Sequence, residues 1–473
     1  MRQKGGVTIS RLLKGRNVIY TNEKVINDSN VVDVLQKAMS AHITNSNDIT
    51  YLYDYYRGSQ EIQNKTKETR TEINNKITEN RAYEIVSFKK GHIFGEPVQY
   101  IARGINERIV ASINQLNDYM VDCDKCELDS ELAEWFLIGG VGYRMILFNE
   151  NWDKDFDESP FKLYTLDPRY TFVVRFNDLD KEIAMAVTYV KLDTGNKVYS
   201  VYTKDKFYTI DDIHGIVSSQ DIYTGIPVVE YVHNNARLGA FEPVISLLDA
   251  INAVQSNRLD DVEQSVNAFM AVFGADMDED TYKKVQEWKM MVLPDGTDVK
   301  YLTASLQQSD IQTYVDNLYQ TVLTICGMPN RNGGGGSTSD TGNAVHLRDG
   351  WENAETQAKS IEKTFKKSER QLLRQILRIL NNIGDYNLRL HNIEIKFARR
   401  YTDNIYTKAQ TLLLLLEAGV EPSIAFATIG VWNDPTDVAL RSKPYLEKWE
   451  LGDVLQNNGQ DFSEVENADK ENI

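Results

Sequence analysis

The chain has 473 residues, 26% of them charged and 42% hydrophobic, and a net charge of −17 at pH 7. The length exceeds one ordinary domain, the composition argues against a disordered chain, and the acidic excess argues against a general nucleic-acid binder acting by counterion release. Three cysteines cannot build a disulfide framework, so a reducing setting is expected, and only ten prolines leave room for long helices.

Met1 to Lys14 carries charge but no apolar run, so no signal peptide is expected there. Residues 1–50 are polar and mixed, with Val31, Val34, Leu35 and Met39 at helical spacing. Residues 51–80, rich in Asn, Lys, Thr and Glu, read as polar helical material. Ile85, Val86 and Phe88 predict a short helix from Tyr83, closed by Gly91. Gly95 to Ile101 reads as extended, because the residue before Pro97 avoids the helical region. Residues 107–138 read as helix again, with Ile109, Ile113, Leu116, Tyr119 and Met120 on one side.

From Gly142 to Val232 the texture changes to short β-branched and aromatic runs: Tyr143–Phe148, Phe161–Leu166, Thr171–Phe176, Ile183–Val190, Val198–Tyr202, Phe207–Ile210 and Val228–Val232. Turns such as Asp167-Pro168 and Thr194-Gly195 separate them, which predicts an antiparallel sheet domain. After Asn235 helical periodicity returns: Val244, Leu248, Ile251, Val254 and Val262 form one stripe, with Asp249, Asp260 and Glu263 off it. Ala268 to Gln308 mixes short strand and helix signals, and Ile311, Tyr314, Val315, Leu318, Val322 and Ile325 predict another helix.

Asn330 to Gly342 is of low complexity, and its four consecutive glycines predict a mobile loop. A helix of about 40 residues follows, with Trp351, Ala354, Ala358, Ile361, Phe365, Leu372, Ile376, Ile379 and Ile383 on one face. Its other face carries Lys359, Lys363, Lys366, Lys367, Arg370, Arg374 and Arg378, against only Glu362 and Glu369. A basic helix in an acidic chain reads first as a solvated face or a contact with an acidic neighbour, and second as a nucleic-acid site. Ile393, Ile395 and Phe397 alternate as a strand, and residues 402–449 read as small helices with Pro422 and Pro435 near two of their starts. The acidic tail from Glu450 is expected to fray. The most apolar run, Leu412 to Leu416, is far short of the about 20 residues a bilayer needs, so a soluble chain is expected.

Enzymatic motifs are weak. Ser337 stands where a phosphate-binding loop needs lysine after Gly333–Gly336. Cys123 and Cys126 have the spacing of half a zinc site, without a second pair to close it. Asp385 with Glu394 and Lys396 has the letters of a Mg²⁺-dependent nuclease, although Glu394 and Lys396 are also the outward positions of a strand. The HExxH, GxSxG and GxGxxG motifs do not occur. No catalysis, metal or cofactor is expected, with the nuclease as the alternative.

Three clusters resemble something specific. Tyr55-Tyr56-Arg57-Gly58 with Ile62, then Asn74 to Ile77 and Asn80, then Gly91 with Phe94 to Tyr100, resembles the amino-terminal signature of tailed-phage portal proteins. Gly225 to Tyr231, Asn234-Asn235 and Gly239 to Glu242 resemble the same family, that of the long non-contractile-tailed phages, just before its stem. Ser339 to Val345 and Asp349-Gly350-Trp351 resemble the join between its tunnel loop and its long helix.

The resemblance implies an α+β, predominantly helical portal fold. Residues 1–240 would form the wing, 241–266 the first stem helix and 267–308 the clip. Residues 309–327 would form the second stem helix, 328–342 the tunnel loop, 343–400 the long helix and strand returning to the wing, and 401–473 the crown and tail. It implies a ring, usually of twelve subunits, at the capsid vertex of the virion, assembled in the host cytoplasm, through which double-stranded DNA is packaged and ejected. Implied partners are terminase large subunit, which would hydrolyse ATP, a head-completion adaptor, scaffold and major capsid protein, but no membrane. Implied site residues are Asn330, Arg331, Asn332, Gly333, Gly334, Gly335, Gly336 and Ser337 in the DNA-facing loop. Asp249, Asp260, Asp261 and Glu263 would line an acidic stem, and Asp278, Glu279, Lys283 and Trp288 would bind partners at the clip.

Overall fold

The computed structural model describes residues 14–69, 71–103, 106–150, 152–153, 159–222, 225–266, 269–273, 298–302, 308–330, 350–384, 388–398, 405–432 and 435–446. They divide into two units: the described residues within 1–14, 50–86 and 240–357 in one, and those within 15–49, 87–239 and 358–473 in the other.

The second of these units is layered, and its sequence periods show why. Helix α1 (Val31–Tyr56) starts there, and its Val31, Val34, Leu35, Ala38 and Met39 recur at three and four residues, so one face is buried. That face covers a six-stranded sheet in the order β1 (Ile19–Thr21), β5 (Thr171–Phe176), β6 (Ile183–Lys191), β7 (Lys197–Thr203), β8 (Lys206–Asp211) and β9 (Gly215–Asp221). Phe172, Val174, Met185 and Val187 join the core with α1. The alternate residues Val173 and Ala186 join a second core with Ile49, Tyr143, Met145 and Val228, as the two-residue period of a strand requires. That core belongs to a three-stranded antiparallel sheet, β10 (Val228–Val232), β3 (Val141–Phe148) and β4 (Phe161–Leu166).

Beyond the small sheet lie α4 (Lys125–Gly139) and α7 (Trp351–Ile383), the latter belonging to this unit from Ala358. Phe365 of α7 packs with Phe94, Phe136 and Tyr231. Gly140 turns α4 into β3 at φ +80°, where a Cβ would lie 2.1 Å from the Arg237 carbonyl oxygen, so only glycine fits. Helices α2 (Arg81–Phe94) and α3 (Glu107–Asp122) flank β2 (Gln99–Ala102), which pairs with β13 (Ile393–Lys396). Three short helices end the described chain: α8 (Ile405–Glu417), α9 (Pro422–Ile429) and α10 (Pro435–Leu446).

In the other unit, α5 (Ile245–Val266) leads to β11 (Phe269–Phe273), which pairs antiparallel with β12 (Asp298–Leu302), and α6 (Gln308–Cys326) returns. Arg258 of α5 hydrogen-bonds Gln308 and Gln312 at the start of α6, while Cys326 at its end meets the Ala240 carbonyl. The two helices therefore run antiparallel.

Several expectations need correction. Regular helix stops at Tyr56 rather than filling 51–80, and only a 3₁₀ turn at Glu61–Asn64 follows, because the polar stretch has no apolar stripe to bury. The helix from Arg81 runs through Gly91 to Phe94, as an exposed glycine in a helix costs little beside the packing of Ile93 and Phe94. The 107–138 helix is two, broken where Asp124 takes φ +51°. The β-rich region forms two sheets rather than one, and β1 joins β5 in parallel. Strand β9 went unread because its exposed Ser218, Ser219 and Gln220 carry no alternation. Helix α7 has 33 residues.

Buried histidines give this fold a pH dependence. His42 stacks on Phe172 with ring centroids 4.3 Å apart, and its Nε2 lies 3.1 Å from the Arg169 carbonyl oxygen. Burial, aided by Lys197, pushes its pKa from the ordinary 6.5 down to about 4. The unfolded chain thus takes up its proton near pH 6.5 and the folded one only near 4, so stability falls as pH falls through that window, by about 3 kcal/mol in all. Thermal melts should show a pH slope between 7 and 5 that shrinks in His42→Phe; an unchanged slope would refute the assignment.

Candidate functional site

Three arrangements concentrate charge in otherwise apolar surroundings. The first is on α5. Asn252, Ser256 and Asp260 are buried and recur every four residues, a rise of about 6 Å per step. They accept hydrogen bonds from the backbone N–H groups of Glu79 (2.9 Å), Ile77 (2.9 Å) and Asn75 (2.7 Å). Alternate residues of an extended chain are about 6.6 Å apart, so strand and helix periods match and the segment zips antiparallel along α5. Asp260 also receives Lys65 at 2.7 Å, Lys67, and the Asn75 side chain. Burial alone would raise its pKa, but these donors hold it well below the usual carboxylate range.

The second lies between the two sheets. Glu230 of β10 is 5% exposed and receives Arg237 at 2.6 Å, Arg175 at 2.8 Å and the Tyr143 hydroxyl at 3.1 Å. Burial pushes its pKa up, yet the two guanidiniums outweigh burial and hold it at about 2.

The third lies on the other face of β10. Glu369 of α7 is 0% exposed and accepts hydrogen bonds from the hydroxyls of Tyr100 and Tyr231 (2.6 Å), with Lys125 at 3.1 Å. Asp129 pairs with Lys125 at 2.6 Å and with Arg144. Burial and the Glu369 carboxylate keep both phenols far above their ordinary pKa, so they remain donors. Two anions and two cations balance. Ser368 and Gln375 of the same helix hydrogen-bond the carbonyls of Glu230 (2.7 Å) and Ile226 (2.6 Å), so α7 grips the strand's backbone as well.

Of the two glutamates expected to offset the basic face of α7, Glu362 is 8% exposed and pairs with Lys366 at 3.6 Å, while Glu369 is fully buried. The outward positions Lys359, Lys363, Lys367, Arg370, Arg374 and Arg378 are all exposed, and a groove of about 430 Å³ runs along Lys363, Lys366, Lys367, Arg370 and Arg374. Sequence reading missed the Glu369 network although a signal existed, since position 369 falls four after Phe365 and three before Leu372, on the apolar stripe.

The stem carboxylates separate. Asp249 is half-buried and accepts from the Tyr55 hydroxyl at 2.8 Å, whereas Asp260 is buried and engaged as above, so Asp260 offers no bare charge outside its own chain. Asp261 is exposed and Glu263 half-buried, beside exposed Leu259 and Val262. The apolar stripe expected along α5 thus yields at its far end to the polar one, because residues 65–79 cover it with backbone N–H groups. Asn330 follows α6 and is half-buried. Arg331, Asn332, Gly333, Gly334, Gly335, Gly336, Ser337, Asp278, Glu279, Lys283, Trp288 and Asp385 lie outside the described residues.

Glu394 and Lys396 pair with each other at 3.1 Å, each about 40% exposed, an ordinary surface ion pair that gives the nuclease reading no support. Cys123 donates to the Phe161 carbonyl at 3.2 Å while Cys126 is exposed. Among the described residues no group of three or more His, Cys, Asp or Glu could hold a metal ion, and no helix is long and apolar enough to cross a membrane.

The family described as phage portal protein, SPP1 Gp6-like, matches residues 35–424. None of the curated proteins compared matches the chain. Among solved structures, a chain from "Neck of empty GTA particle computed with C6 symmetry" is 14% identical, with a TM-score of 0.48 over 75% of this chain and 91% of that one.

Proposed function

The chain belongs to the SPP1 Gp6-like phage portal proteins, and on that premise we propose that its copies close into a twelve-membered ring whose channel carries double-stranded DNA during packaging and ejection. A portal protein is a structural head–tail connector at a capsid vertex, and the match that carries this reading spans 390 of the residues, from 35 to 424, in both units.

Within the ring, residues 1–240 and 343–400 form the wing, 241–266 and 309–327 the stem, 267–308 the clip, 328–342 the tunnel loop and 401–473 the crown. The antiparallel α5 and α6, joined through β11 and β12, support the stem and clip assignment. DNA must slide, and a strongly basic bore would trap it through released counterions. Asp261 and Glu263, on the surface of α5, are the carboxylates suited to an acidic wall that repels phosphate. The loop around Arg331 supplies changeable contacts to DNA. The clip, with Asp278, Glu279, Lys283 and Trp288, docks terminase large subunit, which hydrolyses the ATP, and later the head-completion adaptor. Scaffold and major capsid protein surround the ring as it assembles in the host cytoplasm.

Light scattering with negative-stain imaging of the purified chain tests this. The expected particle is a ring with a central hole and the mass of twelve chains; a small closed oligomer without a hole would overturn it.

A further inference from the structure

Lys366 of α7 pairs with Glu362 at 3.6 Å, but five other cations of this helix differ from it. Among the described residues no carboxylate pairs with Lys363, Lys367, Arg370, Arg374 or Arg378, all exposed along one side of the helix. From 363 to 378 this side extends about 22 Å. A face of the opposite sign exists elsewhere in the same unit. On α3 and α4, Asp118, Asp124, Glu127 and Glu131 are exposed, and no cation among the described residues pairs with them. The sole Lys or Arg between 109 and 133 is Lys125, and it is buried.

The buried network fixes how these faces are disposed. Lys125 and Asp129 turn inward, where Lys125 meets Glu369 of α7. Glu127 and Glu131 lie about half a turn round α4 from that pair, at 100° per residue. The cations lie roughly a quarter to half a turn round α7 from Glu369. Both charged faces thus point away from the contact that joins their helices, so one copy cannot bring them together. Two copies placed head to tail can, and repetition of such a contact closes a ring when its rotation allows.

We propose that the basic face of α7 in one copy docks on the acidic α3–α4 face of the next, making this the contact between successive subunits. The inference rests on the ring reading above and names the surfaces that build it. Double-stranded DNA is the competing polyanion. A chain of net charge −17 repels DNA at a distance, whereas locally opposite faces steer identical acidic copies together despite that charge.

A charge swap decides it. Arg370→Glu with Arg374→Glu, and separately Glu127→Lys with Glu131→Lys, should each convert rings to monomers in sedimentation and negative-stain images. All four substitutions in one chain should restore rings, which misfolding could not do. Rings that survive either reversal, or a fourfold variant that stays monomeric, would overturn the contact while leaving the channel reading intact. Wild-type chain that forms no ring would sink both. A stripe reversal that leaves rings unchanged but weakens binding of a 30-base-pair duplex more than tenfold would assign the face to DNA instead.

Discussion

Glu369→Gln is expected to lower the melting temperature by about 10 °C, the cost of breaking a buried ion-pair network being about 3–5 kcal/mol. The substitution keeps size and shape, so cavity formation plays no part. It removes one of two anions that balance Lys125 and Arg144, both almost wholly buried. It also puts an amide N–H₂ in place of one oxygen, facing either the Tyr231 hydroxyl or the Tyr100 hydroxyl and Lys125 ammonium, which donate to the carboxylate. Adding Lys125→Met restores the charge balance, since Asp129 and Arg144 still pair. Most of the lost stability should therefore return in the double variant, as it does when a buried pair gives way to apolar packing. A single variant that melts within about 2 °C of the parent would show that the network contributes specificity rather than stability.

Asp260→Asn should release residues 65–79 from α5, at a cost of about 3 kcal/mol. One carboxylate there satisfies the Asn75 backbone and side chain as well as two lysines. The expected signature in hydrogen exchange is joint loss of protection at Asn75, Ile77 and Glu79, because their N–H groups have side chains of one helix as acceptors rather than a sheet partner. Ser256→Ala, which removes one acceptor of the three, should cost about 1 kcal/mol and loosen chiefly Ile77. The folded pKa of Asp260 is depressed, so its contribution is present above pH about 4 and is lost as pH falls further. Protection that persists at Ile77 and Glu79 in the Asn variant would show that the segment is held elsewhere.

Residues of the amino-terminal signature acquire reasons from these contacts. Asn75 and Ile77 are rungs of the zipper, and Asn80 accepts from Gln60, which in turn accepts from Asn252. Tyr55 stacks on Phe241 and donates to Asp249, joining the first signature to α5 and the segment before it. The motif was legible as a string, but its roles were not, since apart from the Gln60–Asn80 contact its partners lie about 180 to 195 residues away and nothing local records the pairing. Glu230 behaves likewise: it sits in a legible strand, yet only the stacking of two sheets brings Arg175 to it.

Local periodicity by itself determined the helices α1, α5, α6 and α7, most strands between 141 and 232, and, through ordered motifs, the portal family. These features depend on spacing along the chain, and both hydrogen bonding and amphipathic burial within one element act at short range. Tertiary structure alone decided which charges are used internally and which remain outside. Glu369 looks like a counterweight to the lysines of α7, and Asp260 like a neighbour of Asp261, until packing turns both inward. Burial makes the difference because a carboxylate removed from water must find cations and donors within its own chain. The cations left outside have no such constraint, because water solvates them.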